Sequence, residues 1–107
     1  MPMEAKRIIL KIRILGRLKL GGPIYSYALI KEFNKEGFAK FYGITLKNDL
    51  YNALRVLEKS GYIKVASKVE RGKVKNYYTI TKRGSVALGS VGKMIIKSIG
   101  KAAKLFR

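Results

Sequence analysis

Between residues 45 and 81 the hydrophobic period changes from that of a helix to that of a strand, and this switch restricts the fold more than any other feature. From Leu46 to about Ser60, at about 100° per residue, Leu46, Leu50, Ala53, Leu54 and Leu57 share one face. Lys47, Asn48, Tyr51, Asn52, Arg55 and Lys59 share the other. Thr45 stands where a hydroxyl can accept from the first free backbone N–H groups, and Gly61 closes the helix. Beyond it, Tyr62 to Val69 and Val74 to Thr81 are rich in β-branched and aromatic residues, which predicts two strands. Glu70-Arg71-Gly72-Lys73 joins them, with a glycine able to take positive φ. The segment therefore reads as a two-faced helix running straight into a hairpin with a basic tip.

Upstream, Met3 to Leu20 reads as a helix with two apolar rows, Ile8, Ile12, Leu15 and Leu10, Ile14, Leu18. A helix covering one small core needs one row. The second row implies either a partner subunit or a place in the middle of the helix's own domain. Gly21-Gly22-Pro23 turns the chain. A second helix is expected from about Tyr25 to Glu36, with Ala28, Leu29 and Phe33 facing in and Gly37 as its stop. Phe38 to Ile44 is an aromatic-rich connection that reads as a short strand or tight turn. Thr81 is expected to cap a last helix, from about Lys82 to Phe106. The order helix, helix, helix, hairpin, helix predicts an α+β fold, mostly α: a winged helix-turn-helix with a C-terminal extension. Residues 1–83 would form the winged helix and 84–107 an appended amphipathic helix.

Charge narrows the partner. Twenty-four Lys and Arg face six Asp and Glu, a formal net of +18. Such an excess repels itself in a compact chain, so a polyanion is the natural partner. Nucleic acid ranks first and an anionic membrane surface second. There is no Cys and no His, which removes thiolate metal sites, the commonest metal ligand and the commonest general base. The acids Glu4, Glu32, Glu36, Asp49, Glu58 and Glu70 are scattered, so no catalytic set, metal or cofactor is expected. Lys11, Arg13, Arg17 and Lys19 break the run from Ile8 to Leu20, so it does not read as a signal peptide. No stretch is apolar and long enough to span a bilayer, and the cytoplasm is the expected location.

The polar face of the third helix suits DNA reading. Arg donates two hydrogen bonds to guanine and Asn pairs two-sidedly with adenine, so Arg55, Asn48 and Asn52 are the base-contact candidates. Lys47 and Lys59 suit phosphates. Thr45 at the helix start and Tyr51 complete the candidate face. Taken alone, an ordinary solvated helix looks the same. The hairpin shifts the balance, because Lys68, Arg71, Lys73 and Lys75 concentrate charge on it. From Arg71 onward there are ten basic residues and no acid, whereas solubility is served as well by mixed signs.

At this point the chain resembles the PadR family of transcriptional regulators. Gly22-Pro23-Ile24-Tyr25-Ser26-Tyr27-Ala28-Leu29-Ile30 is similar to the family's entry to its second helix. Leu50-Tyr51-Asn52-Ala53-Leu54-Arg55-Val56-Leu57-Glu58-Lys59-Ser60-Gly61-Tyr62-Ile63 resembles its recognition helix and first wing strand. Tyr77-Tyr78-Thr79-Ile80-Thr81-Lys82-Arg83-Gly84 resembles the second wing strand and the turn after it. The resemblance implies a dimeric, repressor-like regulator on pseudo-palindromic duplex DNA. It implies that the last helix packs on the partner's first, and that Tyr51 lies at the DNA-facing end of the recognition helix. Ser26 replaces a usual glycine, and Leu46-Lys47-Asn48 replaces the usual Ser-Pro-Gly opening. The aromatic effectors of some members rest on tryptophan, which this chain lacks, so no ligand is carried over.

The last segment admits three readings. Leu88, Val91, Ile95, Ile99, Ala102 and Phe106 form an apolar stripe, opposite Lys93, Lys97, Lys101 and Lys104. A dimerisation helix fits best; a membrane-surface helix and an intramolecular core helix are the two alternatives. The expected homodimer interface is Ile8, Ile12, Leu88, Val91, Ile95, Ile99 and Phe106. The function expected is a sequence-specific regulator; the alternative is a chromatin-like architectural protein with little sequence preference.

Overall fold

The structure, a computed structural model, describes residues 3–36 and 46–91. Its elements are α1 (Met3–Gly21), β1 (Ile24–Tyr25), α2 (Ser26–Lys35), α3 (Leu46–Lys59), β2 (Ile63–Glu70) and β3 (Lys73–Ile80). Residues 82–91 are helical and are labelled α4. The expected connection over 38–44, the Thr45 cap, and Ile95, Ile99 and Phe106 lie outside the described residues.

Glycine ends the first and third helices as expected. Gly22, at φ +75°, donates its N–H to the Leu18 carbonyl at 3.1 Å. At the end of α3, Gly61 takes φ +78° and donates to Glu58 O at 3.0 Å, while Tyr62 donates to Leu57 O at 2.9 Å. This paired closure satisfies the last carbonyls of the helix and turns the chain directly into β2.

The sheet is antiparallel in the order β1-β3-β2. Two residues are too few to show an alternating pattern, so the sequence gives no sign of β1. It forms because Ile24 and Tyr25 reach Tyr78 and Tyr77 of β3. The hairpin turns on Arg71 and Gly72, both at positive φ (52° and 76°). That pair of signs defines the two-residue turn whose twist matches the flanking strands. The sequence predicts positive φ for the glycine alone; Arg71 shares it.

The core lies between α1, α2, α3 and the sheet root. Leu10, Ile14, Leu15 and Leu18 enter from α1, Leu29, Ile30 and Phe33 from α2, and Leu46, Leu50, Ala53, Leu54 and Leu57 from α3. Ile24 and Ile63 close it from the strands. Each fully buried Leu, Ile or Phe contributes roughly 1.5–3 kcal/mol. Of the two apolar rows on α1, Leu10-Ile14-Leu18 is spent on this core together with Leu15 of the second row, whereas Ile8 remains 57% exposed and Ile12 half-buried.

Two polar links tie the periphery down. Arg17 donates to both carboxylate oxygens of Glu32, at 2.6 and 3.0 Å, and so joins α1 to α2. The Thr81 hydroxyl accepts from Gly84 N–H at 3.1 Å and donates to the Gly61 carbonyl at 2.6 Å. One side chain therefore caps α4 and fastens its start to the end of α3. Gly84 is buried with its Cα against the Tyr62 carbonyl, and Leu88 packs half-buried on the same core.

Candidate nucleic-acid interface

Helix α3 is held by its five buried apolar residues, so its opposite face is fixed outward. Lys47, Asn48, Tyr51, Asn52, Arg55 and Lys59 are all exposed there, as the spacing predicts. Asn52 and Arg55 also line a groove of about 300 Å³ between α3 and α1, opposite Arg7 and Lys11. They therefore occupy the flank turned toward α1. Lys47, Asn48 and Tyr51 take the first turns of the helix, the part that reaches bases when such a helix enters a major groove.

The sheet root aligns the hairpin with this helix. Tyr78 of β3 is half-buried, and burial first, then the nearby Glu58 and Tyr51 of α3, raises its hydroxyl pKa above the ordinary tyrosine value. A hydroxyl so placed stays protonated. From here the ladder runs out through Ser67–Asn76, bridged by a 2.7 Å side-chain hydrogen bond, to Val69–Val74 and the turn.

The four wing cations nominated from the sequence are not equivalent. Arg71 occupies the turn itself and Lys73 stands beside it, both exposed. Lys68 and Lys75 face each other across the ladder. Lys75 is half-buried: its amine lies 3.5 Å from Glu70 and 4.6 Å from the centre of the Tyr25 ring. Lys68 lies 5.2 Å above Tyr77. Tyr77 donates its hydroxyl to Glu70 at 2.9 Å, which raises its pKa, with burial and the carboxylate charge adding to the effect.

The sequence reading missed the aromatic members of this group, Tyr25, Tyr27 and Tyr77, and the lysine beside Tyr27, Lys31. The signal was present in part: alternation along β3 puts Lys73, Lys75 and Tyr77 on one face. Nothing local announced that β1 would bring Tyr25 alongside. Of the expected dimer residues that are described, Ile8 is open, Ile12 and Val91 are half-buried, and Leu88 lies against the core of its own chain. Among the described residues no helix is long and apolar enough to cross a membrane, and no cluster of acidic side chains could hold a metal ion.

A polar helix face held outward beside a basic two-stranded wing defines a winged-helix protein of the regulator type. The chain belongs to the PadR-like family of transcriptional regulators, whose model matches residues 14–90. It is similar to the structure of a PadR family regulator from Eggerthella lenta, with 27% identity, a TM-score of 0.76, and coverage of 98% of this chain and 88% of that one. A regulator from Clostridium thermocellum is 28% identical, with a TM-score of 0.69 over 94% of this chain and 96% of the other. Bacillus subtilis PadR, solved in complex with operator DNA, is 29% identical with a TM-score of 0.64; the match covers 77% of this chain and 45% of that longer one. No curated relative matches the sequence.

Proposed function

We propose that this chain is a sequence-specific regulator that binds duplex DNA as a homodimer and represses by occupying a pseudo-palindromic site. The observation that carries the reading is the exposed polar face of α3, fixed by a fully apolar buried face and flanked by the Arg71-bearing wing. Asn48 at the start of the helix, with Asn52 and Arg55 behind it, reads base edges, and Lys47 and Tyr51 lie beside them at the DNA backbone. Lys59 and the wing-tip residues Arg71 and Lys73 meet phosphates. The operator complex of the Bacillus subtilis relative supports this choice of ligand. The dimer would use the exposed Ile8 and half-buried Ile12 of α1 against the partner's C-terminal residues Val91, Ile95, Ile99 and Phe106. Residues 84–107 would then act as the dimerisation element. The cytoplasm is where such a protein meets its DNA. The net charge of +18 favours one second reading, an architectural protein with little sequence preference.

Selection from a randomised duplex library at about 150 mM salt, where non-specific contacts are weakened, separates the two. Enrichment of an inverted repeat is expected, with half-sites about one helical turn apart. Asn48→Ala should relax the preference at one position of each half-site. Tight retention without enrichment would replace the regulator by the architectural protein.

A further inference from the structure

The sheet has two faces with different chemistry. Ile24, Ile63, Tyr78 and Ile80 turn inward toward the core and α3. Alternation therefore sends Tyr25, Tyr77, Lys75 and Lys68 to the outer face, away from the helix that reads duplex DNA. Tyr27, from the first turn of α2, extends that face. The three rings form a row: Tyr27 to Tyr25 is 6.5 Å between centres and nearly parallel, and Tyr25 to Tyr77 is 5.6 Å and tilted. Each ring carries its own lysine amine. Lys31 lies 5.2 Å from Tyr27, Lys75 4.6 Å from Tyr25, and Lys68 5.2 Å from Tyr77.

We infer that this outer face is a second nucleic-acid surface, one that takes a single strand with its bases on the tyrosines and its phosphates on the lysines. Repeating ring-and-amine pairs match a polymer that alternates a flat base with an anion. Stacking platforms with a cationic track are the general solution for binding single strands without reading sequence. A duplex offers phosphates and base edges but keeps its base faces stacked internally, so it would leave the rings unused. The outermost ring, Tyr27, is 57% exposed, and a base that stacks on it would take the place of the Lys31 amine, which then turns to the neighbouring phosphate. At the other end Glu70 holds both Lys75 and the Tyr77 hydroxyl. That carboxylate marks where the strand leaves the face. The site stands apart from α3, so it holds whether or not α3 reads an operator.

The test uses the full chain and a fluorescein-labelled oligothymidylate of about ten nucleotides, within the usual span of such sites, at about 100 mM salt. The chain has seven tyrosines and no tryptophan, so its own emission reports ring stacking. Binding should quench that emission. Tyr27→Leu and Lys31→Ala should each weaken oligothymidylate binding about tenfold, with unchanged circular dichroism spectra. Arg55→Ala should leave it unaltered, and duplex binding should show the reverse pattern. No binding, binding without quenching, or equal loss in Arg55→Ala would overturn the inference. So would a loss of duplex affinity in Tyr27→Leu, which would assign this face to the duplex interface instead. Failure of the operator reading is scored separately, by duplex binding that ignores both Asn48→Ala and Arg55→Ala.

Discussion

Adding one methyl group at Gly84 should cost this protein stability, although the site is helical and alanine favours helices. An ideal Cβ at Gly84 falls on the Tyr62 carbonyl, 3.0 Å from its carbon and 2.9 Å from Ile80 Cγ1. Relief requires α4 to retreat on the order of 1 Å to restore van der Waals separation. The carbonyl cannot yield in its place, because it accepts the Thr81 N–H at 3.0 Å. Overpacking of this kind costs about 1–3 kcal/mol, and a weakened hydrogen bond adds about 1 kcal/mol. Helix propensity returns at most about 1 kcal/mol. The net loss is about 1–3 kcal/mol, or a fall in Tm of roughly 5–15 °C for a domain of this size. Gly89 is the internal control: it lies in the same helix, and nothing stands within 4 Å of its would-be Cβ. Gly89→Ala should leave Tm unchanged or raise it by a few degrees, about the propensity gain. Thermal unfolding followed at 222 nm, at one fixed protein concentration because assembly shifts Tm, reads both variants. The reasoning is refuted if Gly84→Ala melts at or above the parent, or if the two variants lose stability equally.

Three further outcomes follow from other contacts. Arg17's hydrogen bonds lower the Glu32 pKa, against a smaller opposing effect of burial; the stabilisation is therefore full above the unfolded carboxylate value of about 4.3 and disappears as pH falls through the depressed folded value. Glu32→Gln should cost about 1 kcal/mol or less at neutral pH, since water partly screens the pair, and urea titrations of variant and parent should converge in acid. Arg71→Asn should stabilise the hairpin by about 1 kcal/mol, because asparagine tolerates left-handed backbone better, while weakening duplex binding across all sequences and lowering its salt slope by about one; a parallel loss of stability would argue against strain at Arg71. Ile8→Asp combined with Ile12→Asp should halve the mass seen by light scattering with little change in helicity, and an unchanged mass would place the interface elsewhere.

Much of this fold could be read from side-chain period. The buried face of α3 is the five residues its spacing nominates, and the hairpin closes at the expected four-residue segment. Both depend on local rules, burial period and turn chemistry, that a short window contains. What escaped was non-local. Strand β1 exists only because β3 offers a partner more than fifty positions later, and with it came the Tyr25–Tyr77 contact. Gly84 read as part of a family-like turn, but its need to be glycine comes from the Tyr62 carbonyl across the chain. On the candidate site, exposure along α3 was legible. The split of the wing cations between tip and outer face was not, because it depends on distance from the turn and on the Tyr25 and Tyr77 rings that hold Lys75 and Lys68, and Tyr25 arrives from a distant part of the chain.

The wing is anchored at one end only. Ile63 and Ile80 are rooted in the core, whereas Val69 and Val74, near the turn, are 74% and 69% exposed. Mechanically this is a cantilever: outward from its root its stiffness comes from cross-strand bonds, and a two-stranded ribbon alone is only marginally stable in water. Amide exchange should therefore quicken steadily from root to tip. A compliant arm lets the terminal cations follow grooves of different width, while the helix beneath keeps a fixed aim.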